Sequence, residues 1–340
     1  MRAFDADPAY SLFLMDDQTV LVTGAAGFIG SHAAAALLRR GARVVGLDNF
    51  DPFYPRELKL ANLRAIEAGG GGAGAGRFEL VTGDFTDAAA TRALFDRVKP
   101  TGVIHLGAKA GVRPSLADPL GYLHTNVMGT QSVLDAAAAA GCGRVIIASS
   151  SSVYGNTPNT PFREDDRSIV PISPYAASKL ACELIAQTHH HLTGRPVACL
   201  RFFTVFGPRQ RPDLAIALFL DKIASGQPIT MFGDGSMSRD FTFVDDIVAG
   251  VLAAYDRIDR HGFRVWNLGH SEPVRLDAMI ATIAEVVGRA PVIERKPMQP
   301  GDVDRTFADL TRSRAELDYQ PATEFVEGVR RQWLERTAVA

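Results

Sequence analysis

Tyr175 and Lys179 are the residues whose types and spacing point most directly to chemistry. Four positions separate them, so a helix would carry both side chains on one face, and Pro174 before them suits the first turn of that helix. A tyrosine with its ordinary pKa of about 10 is a weak base at neutral pH. A neighbouring ammonium and a cationic nicotinamide ring would stabilise its phenolate. The pair therefore predicts a base for an alcohol whose hydride passes to a dinucleotide, although a solvated Tyr/Lys pair would show the same spacing.

A run of four serines at 149–152 offers hydroxyl groups to the same reaction. It follows a predicted strand that begins at Arg144, and α/β proteins bind their ligands at the carboxyl ends of parallel strands. We expect one of these hydroxyls to bond the reacting oxygen and to relay its proton to Tyr175. A serine-rich turn without chemistry is the alternative.

Gly24, Gly27 and Gly30 form a glycine-rich turn between a predicted strand and a predicted helix. Glycine allows a tight turn, a close approach of the backbone to a pyrophosphate, and close packing of helix on strand. The first N–H groups of the helix, at Phe28 and Ile29, would face the phosphates with the positive end of the helix dipole. The spacing is GxxGxxG rather than GxGxxG, so the turn predicts a dinucleotide site only together with its surroundings. A turn that serves packing alone is the alternative.

Two aspartates follow the next predicted strands. Asp48 ends the second strand, eighteen positions after Gly30, where a carboxylate suits the adenosine ribose hydroxyls and repels a 2′-phosphate, so NAD is favoured over NADP. Asp84, just after the third strand, is within reach of the adenine amine, and Asn49 and Phe85 are further predicted contacts of the cofactor. Either aspartate would also serve as an ordinary turn or capping residue.

The pattern of apolar and β-branched runs predicts the elements that position these groups. Strands are expected at 19–23, 43–48, 78–82, 103–106, 144–149 and 197–203, and helices at 31–40, 87–98, 119–140 and 175–192. Strands that alternate with helices predict an α/β fold with a parallel, doubly wound Rossmann sheet and right-handed connections.

Three regions are predicted along the chain: an N-terminal tail at 1–16, an NAD-binding Rossmann domain at 17–204, and a smaller, mixed α/β substrate-binding lobe at 205–340. The lobe is predicted because proline and glycine break the chain into short elements beyond the first domain. Segments near 240–270 are expected to return to the large sheet. The glycine- and alanine-rich stretch at 69–76 is expected to be a mobile surface loop.

Composition excludes several classes of protein. The 340 residues are 46% hydrophobic with a formal net charge of −2, which allows a large core and gives no reason to expect nucleic acid or an anionic membrane as partner. Three isolated cysteines argue against a disulfide framework or a metal site and fit a reducing, cytoplasmic location. No apolar run approaches the roughly 18 residues of a membrane-spanning helix.

Together, the motifs resemble those of the extended short-chain dehydrogenase/reductase family, in its NAD-dependent nucleotide-sugar epimerase/dehydratase branch. The resemblance extends over nearly the whole chain after the tail and includes further motifs at 105–113, 126–130, 201–208, 233–235, 239–241 and 300–303. It implies NAD as cofactor, a UDP-sugar as substrate, and a homodimer formed through the helices at 119–140 and 175–192.

The resemblance also implies roles for individual residues. Ser150 precedes Tyr175 by twenty-five positions, as the catalytic hydroxyl does in the hexose 4-epimerases, and Lys179 would also hold the nicotinamide ribose. Further NAD contacts are implied for Leu106, Ala108, Lys109 and Asn126. Substrate contacts are implied for Arg113, Ser150, Ser151, Thr204, Arg211, Arg239, Gln299 and Asp302, with Arg239 on the diphosphate.

The serine run separates the chemistries of this branch. Dehydratases of the family carry a Thr-Asp-Glu segment, and the related decarboxylases keep a glutamate in it. At the matching positions this chain has Ser150, Ser151 and Ser152. No side-chain carboxylate stands there for acid/base work. The resemblance therefore implies oxidation followed by re-reduction, which is epimerisation.

Thr204 and Arg211 carry the prediction of the sugar. Thr204 replaces the asparagine of UDP-glucose 4-epimerases, and with Arg211 seven positions later the segment is similar to the uronate 4-epimerases. An arginine binds a carboxylate through two parallel hydrogen bonds. The resemblance therefore implies 4-epimerisation of a UDP-hexuronic acid, UDP-glucuronate to UDP-galacturonate. A surface charge and an ordinary strand hydroxyl are the alternatives for these two residues.

Two departures from the hexose epimerases bear on the sugar, Gln299 in place of arginine and Phe206 in place of tyrosine. The alternative functions are a UDP-glucose 4-epimerase, a nucleotide-sugar decarboxylase or dehydratase, and a non-catalytic NAD-sensing protein of the same fold. An assay with both UDP-sugars would separate the first of these from the uronate enzyme.

Overall fold

The structure, a computed structural model, describes residues 15–69, 76–297 and 304–339. Most of the predicted tail and the interior of the predicted glycine-rich loop lie outside the described residues, as do Gln299 and Asp302.

A parallel sheet of seven strands forms the centre of the fold, with the strand order β10-β6-β5-β4-β1-β2-β3. The order reverses between β1 and β4, which is the switch point where open α/β sheets bind ligands. The predicted doubly wound Rossmann sheet is confirmed. In chain order the strands are β1 Thr19–Thr23, β2 Arg43–Asp48, β3 Phe78–Thr82, β4 Gly102–His105, β5 Arg144–Ser150, β6 Val197–Phe202, β7 Thr204–Phe206, β8 Ile229–Phe232, β9 Ser238–Phe243, β10 Phe263–Leu268, β11 Pro273–Arg275 and β12 Ile293–Lys296.

Helices connect the strands and cover both faces of the sheet. They are α1 Phe28–Arg39, α2 Arg56–Gly69, α3 Ala88–Val98, α4 Val112–Ala117, α5 Pro119–Tyr122, α6 Gly129–Ala139, α7 Pro174–Thr193, α8 Ala215–Ser225, α9 Val244–Arg257, α10 Leu276–Val287, α11 Thr311–Leu317 and α12 Phe325–Val339. A π-helical segment, Leu123–Met128, joins α5 to α6, so the single helix predicted at 119–140 is divided. Helix α2 was not predicted, and it ends at Gly69, where the glycine-rich loop was expected to begin.

Two apolar cores lie on the two faces of the sheet, because successive strand residues point to opposite sides. Leu21 and Val103 face one core, with apolar residues of α3, α6 and α7. Val20 and Ile104 face the other, with residues of α1, α9 and the C-terminal lobe. Met15, which was predicted to belong to the tail, is 1% exposed in this second core. The buried core thus starts before the predicted domain boundary.

The C-terminal part of the chain builds the smaller, mixed α/β lobe. A three-stranded sheet with the order β11-β9-β7 and a two-stranded sheet of β12 and β8 carry α8, α10 and α12. Helix α9 and strand β10 return to the large sheet, where β10 pairs with β6. The exact domain boundaries stay a prediction. Strand β7 directly follows β6, so the lobe begins at the carboxyl end of a strand of the large sheet.

Candidate active site

The glycine turn brings β1 close to β4 at the switch point. Gly24 has a φ of +68°, and a Cβ there would stand 2.8 Å from the backbone of Gly107. A Cβ on Gly30 would stand 2.0 Å from the carbonyl oxygen of Gly24. Gly27 caps α1 without a side-chain hydrogen bond, so the first N–H groups, at Phe28 and Ile29, open toward the turn. Glycine at 24 and 30 is therefore required by close backbone packing, and the N–H groups at the start of α1 fit a dinucleotide phosphate.

Asp48 ends β2 beside this turn and is 6% exposed. Its Oδ2 accepts a hydrogen bond from the Ala26 N–H at 3.1 Å, and its Oδ1 accepts one from the Phe50 N–H at 2.8 Å. The ammonium of Lys59 lies 3.3 Å from Oδ1. Sequence reasoning missed Lys59, which offsets part of the negative charge expected to exclude a 2′-phosphate. The unpredicted helix α2 supplies it.

Asp84 and Asn49 lie together at the neighbouring strand ends. The Asn49 Nδ2 donates to Asp84 Oδ2 at 2.9 Å, and Thr86 donates to Oδ1 from its N–H and its hydroxyl, each at 2.8 Å. Burial raises the pKa of the Asp84 carboxyl, but the hydrogen bonds from Thr86 and Asn49 bring it below its usual range. The pair therefore presents an ionised acceptor at the edge where the adenine was predicted.

Phe85 and His105 fill the space beneath the switch point. The Phe85 ring meets the His105 ring edge-on with 5.0 Å between centroids. His105 Nδ1 lies 2.7 Å from the Thr23 hydroxyl, and its Nε2 lies 3.2 Å from the Thr130 hydroxyl. Burial lowers the pKa of His105 to about 3, and the charge of Lys179 adds to this effect. His105 is therefore neutral and holds strands and helix in place.

Asn126 connects the loop after β4, part of the predicted NAD pocket, to α7. Its Oδ1 accepts the N–H of Lys109 at 2.9 Å, and its Nδ2 donates to the Lys109 carbonyl at 3.0 Å and to the Ser178 hydroxyl at 2.9 Å. Asn126 lies in the π-helical segment, and such segments often occur at functional sites. The side chain positions the loop after β4, in which Leu106, Ala108 and Lys109 are all partly exposed.

Tyr175 and Lys179 lie on α7 as predicted. The Ser173 hydroxyl caps this helix by accepting the Ala176 N–H at 3.2 Å, and a proline follows in the first turn. Lys179 is 5% exposed, and its Nζ donates to the carbonyl oxygen of Ala148 at 2.7 Å. Tyr175 is half-buried, with the Tyr122 ring edge-on at 6.1 Å. A buried ammonium one turn from the phenol is the arrangement that a tyrosine base needs.

The structure separates the serines of the run. The Ser149 hydroxyl donates to Glu183 Oε1 at 2.5 Å and is 3% exposed, so it is committed to the protein. The Ser150 hydroxyl donates to the Ser152 hydroxyl at 3.0 Å and accepts the Ser152 N–H at 3.1 Å. Ser151 begins a short 3₁₀ turn and is partly exposed. Ser150 lies at the last position of β5, and its role as the relay hydroxyl stays a prediction.

Arg211 lies near Tyr175 but already has a carboxylate partner. Its Nε and Nη2 donate to the two oxygens of Asp213 at 3.0 and 2.8 Å, and its guanidinium lies 4.9 Å from the centroid of Phe53. Burial lowers the pKa of Arg211, but the hydrogen bond and charge of Asp213 raise it above its usual value, with help from the Tyr175 and Tyr54 phenols. Asp213 is a site residue that sequence reasoning missed, although the Arg-Pro-Asp spacing was visible.

The other predicted substrate ligands lie on three different elements. Thr204 begins β7, is partly exposed and pairs with Phe241 of β9. Arg239, also on β9, donates to the Ser238 carbonyl at 3.0 Å. Arg113 of α4 stacks over the Phe232 ring at 4.6 Å. These contacts describe where the residues lie, and their substrate roles stay predictions.

A Rossmann sheet with a glycine turn, a Tyr/Lys pair on one helix and a serine at the adjoining strand end defines an extended short-chain dehydrogenase/reductase. The chain belongs to the NAD dependent epimerase/dehydratase family, whose sequence profile matches residues 20–269. Along the residues that the structure describes, no helix is both long and apolar enough to cross a bilayer.

Two relatives are named as UDP-glucuronate 4-epimerases. The chain is 40% identical over 329 residues to UDP-glucuronate 4-epimerase 5 of Arabidopsis thaliana, covering 92% of this chain and 74% of the relative. It is 38% identical over 335 residues to the probable UDP-glucuronate 4-epimerase of Rhizobium meliloti (strain 1021), covering 93% and 96%.

The fold is also similar to solved structures. The UDP-glucuronic acid 4-epimerase of Bacillus cereus, solved with UDP-glucuronic acid and NAD, has a TM-score of 0.85 and 32% identity, covering 95% of this chain and 100% of that chain. A UDP-glucose 4-epimerase from Thermotoga maritima, solved with UDP-glucose, has a TM-score of 0.83 and 28% identity over 95% and 100%.

Proposed function

We propose that this protein is an NAD-dependent isomerase that interconverts UDP-glucuronate and UDP-galacturonate by epimerisation at C4. The observation that carries the proposal is a half-buried arginine, Arg211, near Tyr175, in a site whose serine run has no carboxylate. Arg211 supplies the cation for a uronate, and Tyr175 supplies the base. The identity to relatives named UDP-glucuronate 4-epimerase supports the same substrate.

Tyr175 takes the proton of the C4 hydroxyl, and Ser150 bonds the same oxygen and relays the proton. Lys179 stabilises the phenolate, because its ammonium is buried one turn away on the same helix face. NAD bound at the switch point would supply the hydride chemistry, which is the oxidation of C4 and its later re-reduction. The sugar must turn over between these steps, while the UDP part stays anchored. Arg239, Arg113, Ser151, Gln299 and Asp302 are the residues proposed for that anchoring.

The residues around the switch point would hold NAD. The N–H groups of Phe28 and Ile29 suit the pyrophosphate, next to the glycines of the turn. Asp48 offers a buried acceptor for the ribose hydroxyls, and the Asn49–Asp84 pair offers one for the adenine amine.

Arg211 and Thr204 would hold the uronate carboxylate. Oxidation at C4 makes the sugar a β-keto acid, which loses CO2 when the bond to the carboxylate aligns with the carbonyl π system. A guanidinium that keeps the carboxylate near the carbonyl plane discourages that loss. Arg211 suits this task, because Asp213 and Phe53 fix its plane.

A UDP-glucose 4-epimerase is the second candidate, and one contact favours it. Asp213 already balances the charge of Arg211, which suits a neutral hexose. Incubation of the purified protein with UDP-glucuronate and with UDP-glucose, followed by product separation and NMR, decides between them. We expect UDP-galacturonate from the first at a much higher kcat/KM. A preference for UDP-glucose would overturn the uronate assignment.

We also propose a homodimer through α6 and α7, and a cytoplasmic location. Leu184 and Leu192 are 58% and 75% exposed along an open groove between the two helices, and Met128 before α6 is 61% exposed. Apolar residues on one face of two adjacent helices suit a two-fold interface, in which the same patch meets itself.

The cytoplasmic location stays a prediction from the cysteines, all three of which are buried free thiols.

A further inference from the structure

Glu183 and Arg201 form a buried ion pair beneath the active site, among groups with no part in the chemistry above. Arg201 donates from Nε to Oε1 at 2.9 Å and from Nη2 to Oε2 at 2.7 Å, and the two side chains are 5% and 4% exposed for Glu183 and Arg201. A buried ion pair often stabilises the fold no more than a well-packed apolar pair of the same size, because both ions lose their hydration. Its place in the fold therefore suggests a role other than stability.

Glu183 lies on α7, one turn after Lys179 and on the same face as Tyr175. Its Oε1 accepts the hydrogen bond from the Ser149 hydroxyl at 2.5 Å. Ser149 immediately precedes Ser150 in β5, so this bond ties the helix that carries the base to the strand end that carries the relay hydroxyl.

Arg201 extends the connection to the other side of Ser150. It lies opposite Ser149 in the β5–β6 register, and its guanidinium carbon lies 4.7 Å from the centroid of the Tyr154 ring. Tyr154 closes the 3₁₀ turn that follows Ser150, and its hydroxyl donates to Asn267 Oδ1 at 2.7 Å. The ion pair thus contacts residues on both sides of Ser150.

We propose that Glu183 and Arg201 are positioning residues that fix the Ser150 hydroxyl relative to the Tyr175 phenol during hydride transfer. The inference rests on the proposed function, since it assumes that these two groups act on one substrate oxygen. A proton relay needs its groups within hydrogen-bond reach, and a misplacement of about 1 Å costs up to about 100-fold in rate. The proposed role therefore concerns kcat rather than substrate binding.

The test replaces both charges with apolar side chains of similar volume, E183M/R201M, so that no buried ion is left without its partner. The matched control is R40M/D256M, which removes an ion pair of a buried arginine and a half-buried aspartate, in which Arg40 Nη2 donates to both Asp256 oxygens at 2.9 and 3.0 Å. For each protein we measure the melting temperature, the NAD content per subunit, kcat and KM, and the deuterium isotope effect with C4-labelled UDP-glucuronate.

We expect E183M/R201M to keep its NAD and a KM within about threefold of wild type, while kcat falls about tenfold or more and the isotope effect rises. The control should keep kcat. An unchanged kcat per folded subunit in E183M/R201M would overturn the positioning role, whatever the change in melting temperature.

The variant S149A keeps the ion pair and removes only its bond to β5, so it decides the question should the double variant fail to fold. We expect it to fold with a lower melting temperature, because a buried hydrogen bond is lost, and its kcat per folded subunit to fall about threefold to tenfold; a wild-type kcat would contradict the proposal. Wild-type protein assayed in the same series on both UDP-sugars separates the two proposals. An inactive wild type would contradict the proposed function, whereas equal rates in wild type and variants would contradict the positioning role alone.

Discussion

At the scale of single residues, Arg211 combines a fixed orientation with an unused hydrogen-bonding edge. Asp213 takes the edge formed by Nε and Nη2, and Phe53 covers one face of the guanidinium. Within the described part of the chain, no side chain or carbonyl bonds its Nη1. A guanidinium has a second edge, formed by Nη1 and Nη2, that fits a carboxylate with two parallel hydrogen bonds. A uronate can therefore bind without displacing Asp213.

Replacement of this arginine, R211A, should raise the KM for UDP-glucuronate about tenfold or more, because a charge-assisted pair is lost. The freed carboxylate should also let part of the 4-keto intermediate lose CO2, so UDP-pentose should appear among the products by NMR. The control R163A removes an arginine with the same contact to a carboxylate two positions later, at 3.1 Å, but on the surface. Unchanged uronate kinetics in R211A would contradict the carboxylate assignment.

His105 predicts how stability responds to acid. Its pKa is lowered from 6.5 to about 3 in the folded protein, mainly by burial. The unfolded chain binds a proton at this residue as pH falls below about 6.5, whereas the folded chain does not until about pH 3, so stability is lost as pH falls between these values. In H105Q, urea unfolding should show a shallower loss of stability between pH 7 and pH 5. The control H191Q, at an exposed histidine, should keep the wild-type slope.

At the scale of elements, the sequence predicts what depends on local pattern. Strands β1, β2 and β3 have the predicted bounds, because each is a short run rich in apolar and β-branched residues. Helix α2 escaped prediction because its buried face includes Lys59 and Asn62 beside Leu63 and Ile66, so the apolar period is broken. The π-helical segment could not be predicted from the sequence either, since apolar spacing does not distinguish a π-helix from an α-helix.

Contacts between distant elements cannot be predicted from the local sequence pattern. The glycine turn, the Tyr/Lys pair and Asp48 each carry a local signal, and the structure brings them to one edge of the sheet. The bond of Glu183 to Ser149, by contrast, depends on how α7 packs on β5. No spacing within one element encodes that contact, so only the assembled fold reveals it.

The turn between β1 and α1 gives a prediction at this scale. In G24A the new methyl group meets the Gly107 backbone, which should separate β1 from β4 and abolish NAD retention, measured by cofactor release and absorbance. The control is G141A, where φ is +75° but no atom lies within 4 Å of the added carbon. It should lose about 1 kcal/mol of stability through backbone strain and keep its NAD. Retention of NAD by G24A would contradict the assigned cradle.

At the scale of the whole molecule, the predicted site residues come from both the predicted Rossmann domain and the predicted smaller lobe. The proposed base lies on α7 and the proposed relay hydroxyl on β5 of the large sheet, whereas Thr204 and Arg211 follow β6 on the path into the smaller lobe. Strand β10 returns to pair with β6, and its Asn267 accepts the hydrogen bond from Tyr154. The turn that follows the serine run is thus held by a strand that returns from the C-terminal part of the chain.

The proposed dimer leads to the last prediction. A charge at Leu184, which is 58% exposed on α7, should prevent two copies from burying this face, because an unpaired carboxylate there would lose its hydration. L184E should therefore elute as a monomer of about half the wild-type mass in size-exclusion chromatography with light scattering. The control L334E changes a leucine that is 60% exposed on α12, outside the proposed interface, and should keep the wild-type mass. Equal masses for L184E and wild type would contradict an interface through α6 and α7.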